Sequence, residues 1–111
     1  MAAYLLYLCE SVNDRAELEI YWKEIGPTFQ GHKVRLLAGY TKFKVLEGNK
    51  KIEGVVLAEF PSWEEAEAWY DSLAYSAIRH HRINGAKYIG LLVDSGVVPD
   101  SERMPQTKTN K

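Results

Sequence analysis

Aromatic and cationic side chains are concentrated between positions 63 and 82 of the sequence. Trp69, Tyr70 and Tyr75 are followed by the cluster Arg79-His80-His81-Arg82. Aromatic rings supply contact area and stacking for a flat ligand, and the forked guanidinium of an arginine can hold a carboxylate or enolate through two hydrogen bonds. The composition therefore indicates a pocket for a hydrophobic small molecule, with or without a negative charge.

Arg82, Tyr75 and His32 are the candidate catalytic residues. Tyr75 precedes Arg82 by seven positions, so its hydroxyl could donate to the same ligand oxygen that Arg82 binds. His32 could act as a general acid or base if it reaches a substrate proton within hydrogen-bonding distance. Structural interpretations stay open for all three: a histidine that caps a helix, a tyrosine that ties a helix to a loop, and an arginine in an ion pair. The carboxylates considered for that ion pair are Asp71, Glu10 and Glu59.

Four aromatic residues are candidates for substrate binding: Tyr21, Trp22, Trp69 and Tyr70. They lie on two predicted helices that must face the same side of a sheet, and rings of this bulk are expected to leave a gap between them. The alternative is that they are core residues, because aromatic stripes on helices pack against sheets in most domains. One ring can fill both roles.

Sequence motifs for metal- or nucleotide-dependent chemistry are absent. There is no glycine-rich phosphate loop, nucleophile elbow or Cys/His dyad at a recognisable spacing. The adjacent His80 and His81 point about 100° apart on a helix, no two histidines have the spacing of a zinc site, and Cys9 is the only cysteine. We therefore expect neither a metal nor a cofactor.

Charge and hydropathy argue against two classes of partner. Fourteen basic and fifteen acidic residues give a net charge of -1, whereas nucleic-acid-binding domains usually carry a basic face. No apolar run reaches the roughly 20 residues of a membrane helix, and Met1–Cys9 lacks the basic leader of a signal peptide. With a single thiol, the chain is expected to be cytoplasmic, without nucleic-acid or membrane partners.

The elements that must position these side chains are four strands and two helices. The predicted strands are Ala3–Cys9, Lys33–Glu47, Ile52–Phe60 and Lys87–Val93. Turns are predicted at Gly48–Lys51 and Asn84-Gly85. The folded domain is predicted to span residues 1–94, and the polar segment 95–111, which contains Pro99 and Pro105, is predicted to be an arm or a disordered tail.

Helical spacing of apolar residues predicts both helices. The stripe of the first is Leu18, Tyr21, Trp22, Ile25 and Phe29. Asn13 or Ser11 is expected to cap this helix, and Gly26-Pro27 to kink it or end it. Ser62 and Glu65 form a capping-box pattern at the start of the second helix. The buried face of the second helix is predicted to hold Trp63, Ala66, Trp69, Tyr70 and Leu73.

The predicted element order, β-α-β-β-α-β, is that of the ferredoxin-like α+β fold. Two helices cover only one face of such a sheet, yet the predicted strands are apolar on both faces. In the third strand, for example, Val55 and Leu57 alternate with Val56 and Ala58. An exposed apolar patch of that size is unusual in a soluble monomer. We therefore predict a homodimer in which two sheets face each other, a dimeric α+β barrel.

Four motifs, completed by Tyr75 and Arg82, carry a family resemblance over positions 3–94. They are Arg35-Leu36-Leu37-Ala38-Gly39, Val45-Leu46-Glu47-Gly48, Glu59-Phe60-Pro61-Ser62 and Ala68-Trp69-Tyr70-Asp71-Ser72. With these motifs the sequence resembles domain-of-unknown-function family 1330, a branch of the dimeric α+β barrel superfamily. The resemblance implies the fold and the dimer, and it implies no reaction.

Two kinds of function are consistent with these features. The first, which we favour, is a cofactor-independent enzyme that performs acid/base chemistry, such as isomerisation, cyclisation or oxygenation, on a hydrophobic small molecule. The second is a non-catalytic protein, either a small-molecule binder or a structural dimer module. A histidine or tyrosine with a shifted pKa in a closed cleft would favour the enzyme, and an open groove would favour the binder.

Overall fold

The computed structural model describes residues 1–104, which form four strands and three α-helices. The elements are β1 (Ala3–Val12), α1 (Arg15–Ile25), a 3₁₀ turn (Gly26–Phe29), β2 (Arg35–Gly39), β3 (Gly54–Phe60), α2 (Trp63–Tyr70), α3 (Leu73–Gly85) and β4 (Ala86–Asp94). The antiparallel sheet has the order β2-β3-β1-β4. The predicted ferredoxin-like βαββαβ fold is confirmed, with its second helix divided into two.

The segment that follows β4 is only partly described. A short 3₁₀ turn spans Asp100–Glu102, and the remainder of the predicted tail, residues 105–111, lies outside the described residues. Across residues 1–104, no helix combines the length and the apolar character needed to cross a membrane.

Alternation along β1 gives the sheet a covered face and an open face. The side chains that point towards the helices are buried: Ala3, Leu5, Tyr7 and Cys9. Leu6 lies on the opposite face, and its neighbours across the sheet are Leu57 and Leu91. Leu91 and Val93 on this open face are exposed. The sheet is therefore apolar on both faces, as predicted, and the described residues of this chain cover only one of them.

The first helix begins one residue later than predicted. Asp14, rather than Asn13 or Ser11, is its N-cap, because the Asp14 carboxylate accepts hydrogen bonds from two amides of the first turn. Leu18 and Tyr21 of the predicted stripe are buried. The rest of the stripe is partly buried against the core: Trp22, Ile25 and Phe29.

The second predicted helix is interrupted between α2 and α3. Ser62 caps α2 as predicted, with its hydroxyl accepting a hydrogen bond from the Glu65 amide at 3.1 Å, but α2 ends before Asp71 and Ser72 caps α3. The prediction that Leu73 shares the buried face of α2 is wrong, since Leu73 is 90% exposed. The break changes the helical phase, so the stripe of α2 does not continue into α3.

The predicted turn at Asn84-Gly85 is also wrong, because both residues are the last residues of α3. A Cβ on Gly85 would lie 2.8 Å from the backbone nitrogen of Leu18. The glycine is therefore needed for the close approach of α3 to α1, and the chain enters β4 without an intervening loop.

The predicted strand Lys33–Glu47 is much shorter in the structure, where β2 spans only Arg35–Gly39. Tyr40 then adopts a positive φ of 57°, a left-handed conformation that ends the extended chain. Residues 41–53 form neither strand nor helix. The next strand accordingly begins at Gly54, two residues later than the predicted Ile52.

Candidate functional site

Three buried tyrosines and one arginine form a hydrogen-bonded cluster between the helices and the sheet. The Tyr75 hydroxyl lies 2.9 Å from the Tyr7 hydroxyl and 2.8 Å from the Tyr21 hydroxyl. It also accepts a hydrogen bond from Nε of Arg82 at 3.4 Å. One oxygen atom, that of Tyr75, therefore connects the other three side chains.

Several elements of the fold bring the members of this cluster together. Tyr7 points inward from β1 and its ring lies over Gly90 of β4, where a Cβ would come within 2.7 Å of the ring. Tyr75 and Arg82 are seven residues apart on α3, and this spacing of about two turns places them on one helix face. Tyr21 comes from α1, which packs against α3.

Arg82 is a buried cation without an acidic partner in the part of the chain that the structure describes. The residue is only 7% exposed, and its guanidinium carbon lies 4.6 Å from the ring centroid of Tyr7 and 5.5 Å from that of Tyr88. Within residues 1–104 no carboxylate forms a salt bridge with it, so none of the ion pairs considered from the sequence is formed.

Burial sets the protonation states of the cluster. Burial raises the pKa of Tyr7 and of Tyr21 well above the ordinary value of a phenol, and the neighbouring Tyr75 reinforces this effect. For Arg82, burial alone would lower the pKa, but the surrounding tyrosine oxygens raise it above its usual value. At neutral pH the cluster therefore consists of neutral phenols beside a permanent cation.

A second hydrogen-bonded group adjoins the first. Nε1 of Trp22 donates to the Tyr40 hydroxyl at 3.0 Å, and the hydroxyls of Tyr40 and Tyr88 share a hydrogen bond. The ring of Tyr88 meets that of Tyr7 edge-on, with centroids 5.8 Å apart. Gly54 makes room for Tyr40, because a Cβ there would lie 2.8 Å from the Tyr40 ring. Burial also raises the pKa of Tyr88.

Members of both groups line a cavity of about 480 Å³ between α1 and the sheet, which we call the aromatic cavity. Most of its wall is apolar and comes from β1, β2, β3 and α1. The lining side chains with polar atoms are Tyr7, Tyr21, Trp22, Tyr40, Trp69, Tyr88 and Arg82, and the indole N–H of Trp69 is taken up by Thr28. This volume falls within the usual range for small-molecule sites.

A second cavity of about 450 Å³ lies between α2 and β4. It shares five lining residues with the aromatic cavity: Leu5, Tyr7, Trp69, Arg82 and Tyr88. Its wall also includes the carboxylate residues Glu67 and Asp71. Arg82 therefore borders two adjacent cavities, and the wall of the aromatic cavity is the more apolar of the two.

The structure brings together four of the seven predicted site residues at the aromatic cavity: Tyr21, Trp22, Trp69 and Arg82. Tyr70 lines only the second cavity. Tyr75 is 0% exposed and lines neither cavity. Tyr75 is therefore placed to hold its neighbours Tyr7, Tyr21 and Arg82 through hydrogen bonds, and not to contact a ligand directly.

His32 lies apart from this cluster. It borders an open depression of the surface together with Lys33, Arg35 and Glu59, and it lines neither of the two cavities. Its Nδ1 atom is buried and has no hydrogen-bond partner among the described residues. The predicted acid/base role of His32 therefore has no support from the position of its ring.

Other ionisable side chains of the helices are engaged elsewhere. Nδ1 of His81 lies 3.0 Å from Oε1 of Glu17, and Arg79 donates to the Tyr70 carbonyl while its guanidinium carbon lies 4.2 Å from the Tyr70 ring centroid. Within residues 1–104, no three His, Cys, Asp or Glu side chains are grouped so that they could hold a metal ion. The chemical groups of the aromatic cavity are thus its tyrosines, Trp22 and Arg82.

Sequence reasoning misses three residues of the site: Tyr7, Tyr40 and Tyr88. Tyr7 and Tyr88 lie in apolar strands, where a tyrosine resembles any other strand residue. The alternation of β1 was a usable signal for Tyr7, because it has the same parity as the buried Leu5 and Cys9. Tyr40 had no such signal, since its placement depends on a positive φ in a loop.

Residues 2–96 match the family described as Domain of unknown function (DUF1330). The chain belongs to this family. The resemblance identified from the sequence motifs is therefore confirmed. A comparison with curated proteins found no match.

Solved structures share the fold of this DUF1330 chain at low sequence identity. A protein of unknown function from Rhodopseudomonas palustris is 16% identical, with 88% of this chain and 84% of that chain covered and a TM-score of 0.66. A Bacteroides fragilis protein, described as dimeric with a ferredoxin-like fold, is 8% identical, with 85% and 96% covered and a TM-score of 0.57. SnoaB, a cofactor-independent oxygenase from Streptomyces nogalater, is 8% identical, with 89% and 96% covered and a TM-score of 0.56. These likenesses show the fold alone.

Proposed function

We propose that this DUF1330 protein is a cofactor-independent enzyme that performs acid/base chemistry on a flat, hydrophobic small molecule with an anionic or enolisable oxygen. The observation that carries the proposal is Arg82, a buried cation that borders the aromatic cavity and has no carboxylate partner within the described residues. An unpaired buried charge is costly to a fold. An anionic ligand oxygen is the partner that would offset this cost.

The tyrosine cluster supplies a hydrogen-bond donor next to that cation. Tyr75 accepts from Arg82, and a hydroxyl oxygen accepts about two hydrogen bonds and donates one. Tyr75 therefore donates to one of Tyr7 and Tyr21 and accepts from the other. The tyrosine that accepts the hydrogen bond from Tyr75 has its own O–H group free to donate to a ligand, and both Tyr7 and Tyr21 line the aromatic cavity.

A cation and a hydroxyl donor at one ligand oxygen favour the enolate or phenolate over its conjugate acid, and the effect is strong where little water is present. Of the described residues, no His, Asp or Glu lines the aromatic cavity. The substrate proton must therefore pass to water or hydroxide while Arg82 stabilises the negative charge that develops on the substrate oxygen. The enolate formed in this way can be reprotonated at another carbon, can cyclise, or can react with dioxygen. SnoaB supports this reading only through the shared fold.

The alternative is a non-catalytic small-molecule-binding protein. The same absence of a carboxylate or histidine from the described lining of the aromatic cavity favours it, because nothing there would accept a substrate proton at neutral pH. Both functions use Arg82 in the same way, and they differ in whether the bound molecule exchanges protons.

We also propose that two copies of the chain pair through their open sheet faces. Leu6, Leu57 and Leu91 form an apolar row across that face, and Leu91 is exposed in the single chain. The dimeric Bacteroides fragilis neighbour supports the proposal.

Binding can be tested with a matched pair of ligands, 2-naphthoate and the neutral 2-naphthylmethanol, by quenching of the cavity tryptophans Trp22 and Trp69. Arg82→Met should weaken 2-naphthoate binding about 10- to 100-fold, the loss of one charge-assisted hydrogen bond. The neutral ligand should change less than about twofold, since methionine keeps the apolar contact. Equal losses for both ligands would count against a charge-recognition site.

Catalysis needs a separate measurement. The α-proton exchange of 2-tetralone in D₂O, followed by NMR with and without protein, reports enolate formation directly. An accelerated exchange that is lost in Arg82→Met supports the enzyme. Binding without accelerated exchange leaves the non-catalytic binder as the function.

A further inference from the structure

The segment between β2 and β3 contains a stretch that forms no backbone hydrogen bonds with the described residues of its own chain. Residues 41–51 are all exposed, and from residue 41 to residue 52 no backbone hydrogen bond is formed within the described chain. Both ends are nevertheless fixed. The Tyr40 amide donates to the Val55 carbonyl at 2.8 Å, and Nζ of Lys50 forms a salt bridge with Oε1 of Glu10 at 3.2 Å. We call residues 41–49 the arm.

The sequence of the arm has the pattern of a strand. Phe43 and Val45 alternate with Lys42 and Lys44, which is the two-residue period of a strand with one apolar face. Phe43 and Val45 are both exposed. A strand pattern needs the edge of a sheet, and β2 in the same chain has already ended at Gly39.

We infer that the arm lies along the outer edge of β4 in a second copy of the chain. Among the described residues β4 is an edge strand of nine residues that pairs only with β1, so its outer side offers a row of backbone groups for pairing. Leu91 and Val93, which are exposed on the adjoining open face, provide an apolar surface for the arm. Two-fold symmetry pairs each arm with the partner's β4 and closes both edges. The inference rests on the sheet-to-sheet dimer proposed above.

Tyr40 connects the arm to the aromatic cavity. It is the last residue before the arm, and its ring forms part of the cavity wall through hydrogen bonds to Trp22 and Tyr88. A positive φ is unfavourable for a tyrosine, so this position needs support from both sides. We expect docking of the arm on the partner to hold Tyr40, and with it this part of the cavity wall, in place.

Photo-crosslinking tests where the arm lies. Benzoylphenylalanine in place of Phe43 should give a covalent dimer on a denaturing gel, with the crosslink in the tryptic peptide of residues 88–103 of the other copy. The same photo-reactive residue in place of Leu73, on the exposed start of α3, should give no covalent dimer. A dimer in light scattering without a crosslink from position 43 would overturn the arm inference and leave the sheet-to-sheet dimer standing. A monomer in light scattering would overturn both.

The link to the cavity is tested with full-length variants that bind 2-naphthylmethanol. Val45→Asp should raise the dimer dissociation constant at least tenfold and weaken binding of this ligand at least fivefold at the same protein concentration. Leu73→Asp is the control and should change neither value. Weaker dimerisation with unchanged ligand binding would show that the arm docks but does not hold the cavity wall in place, which would overturn the role given to Tyr40.

Discussion

Replacing Arg82 with methionine tests whether its charge is needed for ligand binding or for the stability of the fold. In a structural ion pair, loss of one buried partner leaves the other charge unpaired and costs about 3–5 kcal/mol. Arg82 has no carboxylate partner within the described residues, so its removal leaves no orphaned charge. Methionine is unbranched and apolar, and it can fill much of the same volume.

The expected change in stability follows from the contacts of the guanidinium group. It gains about 0.5–2 kcal/mol from each of the rings of Tyr7 and Tyr88. It gains about 1 kcal/mol from the long hydrogen bond to Tyr75. Burial of the charge costs several kcal/mol, which roughly balances these gains. Arg82→Met should therefore leave the free energy of unfolding within about 1 kcal/mol of the wild type, or raise it.

Urea unfolding at fixed protein concentration measures this change, and an unaltered m-value shows that the same transition is compared. Arg79→Met is the matched control on the same helix. Arg79 donates to the Tyr70 carbonyl and stacks on its ring, so this variant should lose about 1–2 kcal/mol. A loss above roughly 3 kcal/mol in Arg82→Met would refute the reasoning, because it would mean that the fold depends on this charge.

Two further predictions concern the tyrosine cluster. Tyr75→Phe should lower the free energy of unfolding by about 1–3 kcal/mol, since Tyr7 and Tyr21 lose their shared hydrogen-bond partner. The control is Tyr70→Phe, because the Tyr70 hydroxyl has no hydrogen bond within residues 1–104, and its free energy of unfolding should stay within about 0.5 kcal/mol of the wild type. Equal effects of the two variants in urea unfolding would argue against the cluster. The raised pKa values of Tyr7 and Tyr21 stabilise the fold below the ordinary phenol pKa of about 10, and this stability is lost above it by up to about 2.7 kcal/mol per pH unit. Because burial also raises the pKa of Tyr88, Tyr7→Phe should remove only its own share of the pH dependence, up to about 1.4 kcal/mol per pH unit between about pH 10 and 11.5, and an unchanged slope would contradict the assignment.

The element order was predictable because its signals are local. The Ser62 cap and the alternation in β1 each depend on a few neighbouring residues. The split between α2 and α3 was harder to predict, since the apolar stripe of α2 reads on through the break to Leu73. Ser72 was the available signal, because serine is a preferred N-cap.

The helical half of the site was predictable and the strand half was not. Trp22 and Trp69 could be assigned to one sheet face from helical spacing, and Arg82 from its distance to Tyr75. The contribution of Tyr7 and Tyr88 depends on how β1 and β4 pair, which no local pattern encodes. His32 was assigned from its place in the chain beside a strand, whereas its side chain lies at a different surface depression.

Two features that lack a partner among the described residues, the arm and the charge of Arg82, share one physical explanation. A strand pattern continues past Gly39 into the arm without a sheet edge to pair with, and the charge of Arg82 is buried without an anion. Natural folds usually protect exposed strand edges, and they seldom bury a charge without a partner. Both features are explained if the missing partners come from outside the chain, the edge from a second copy and the anion from a ligand. Since Tyr40 joins the arm to the cavity wall that Arg82 borders, the two partners are expected to bind cooperatively.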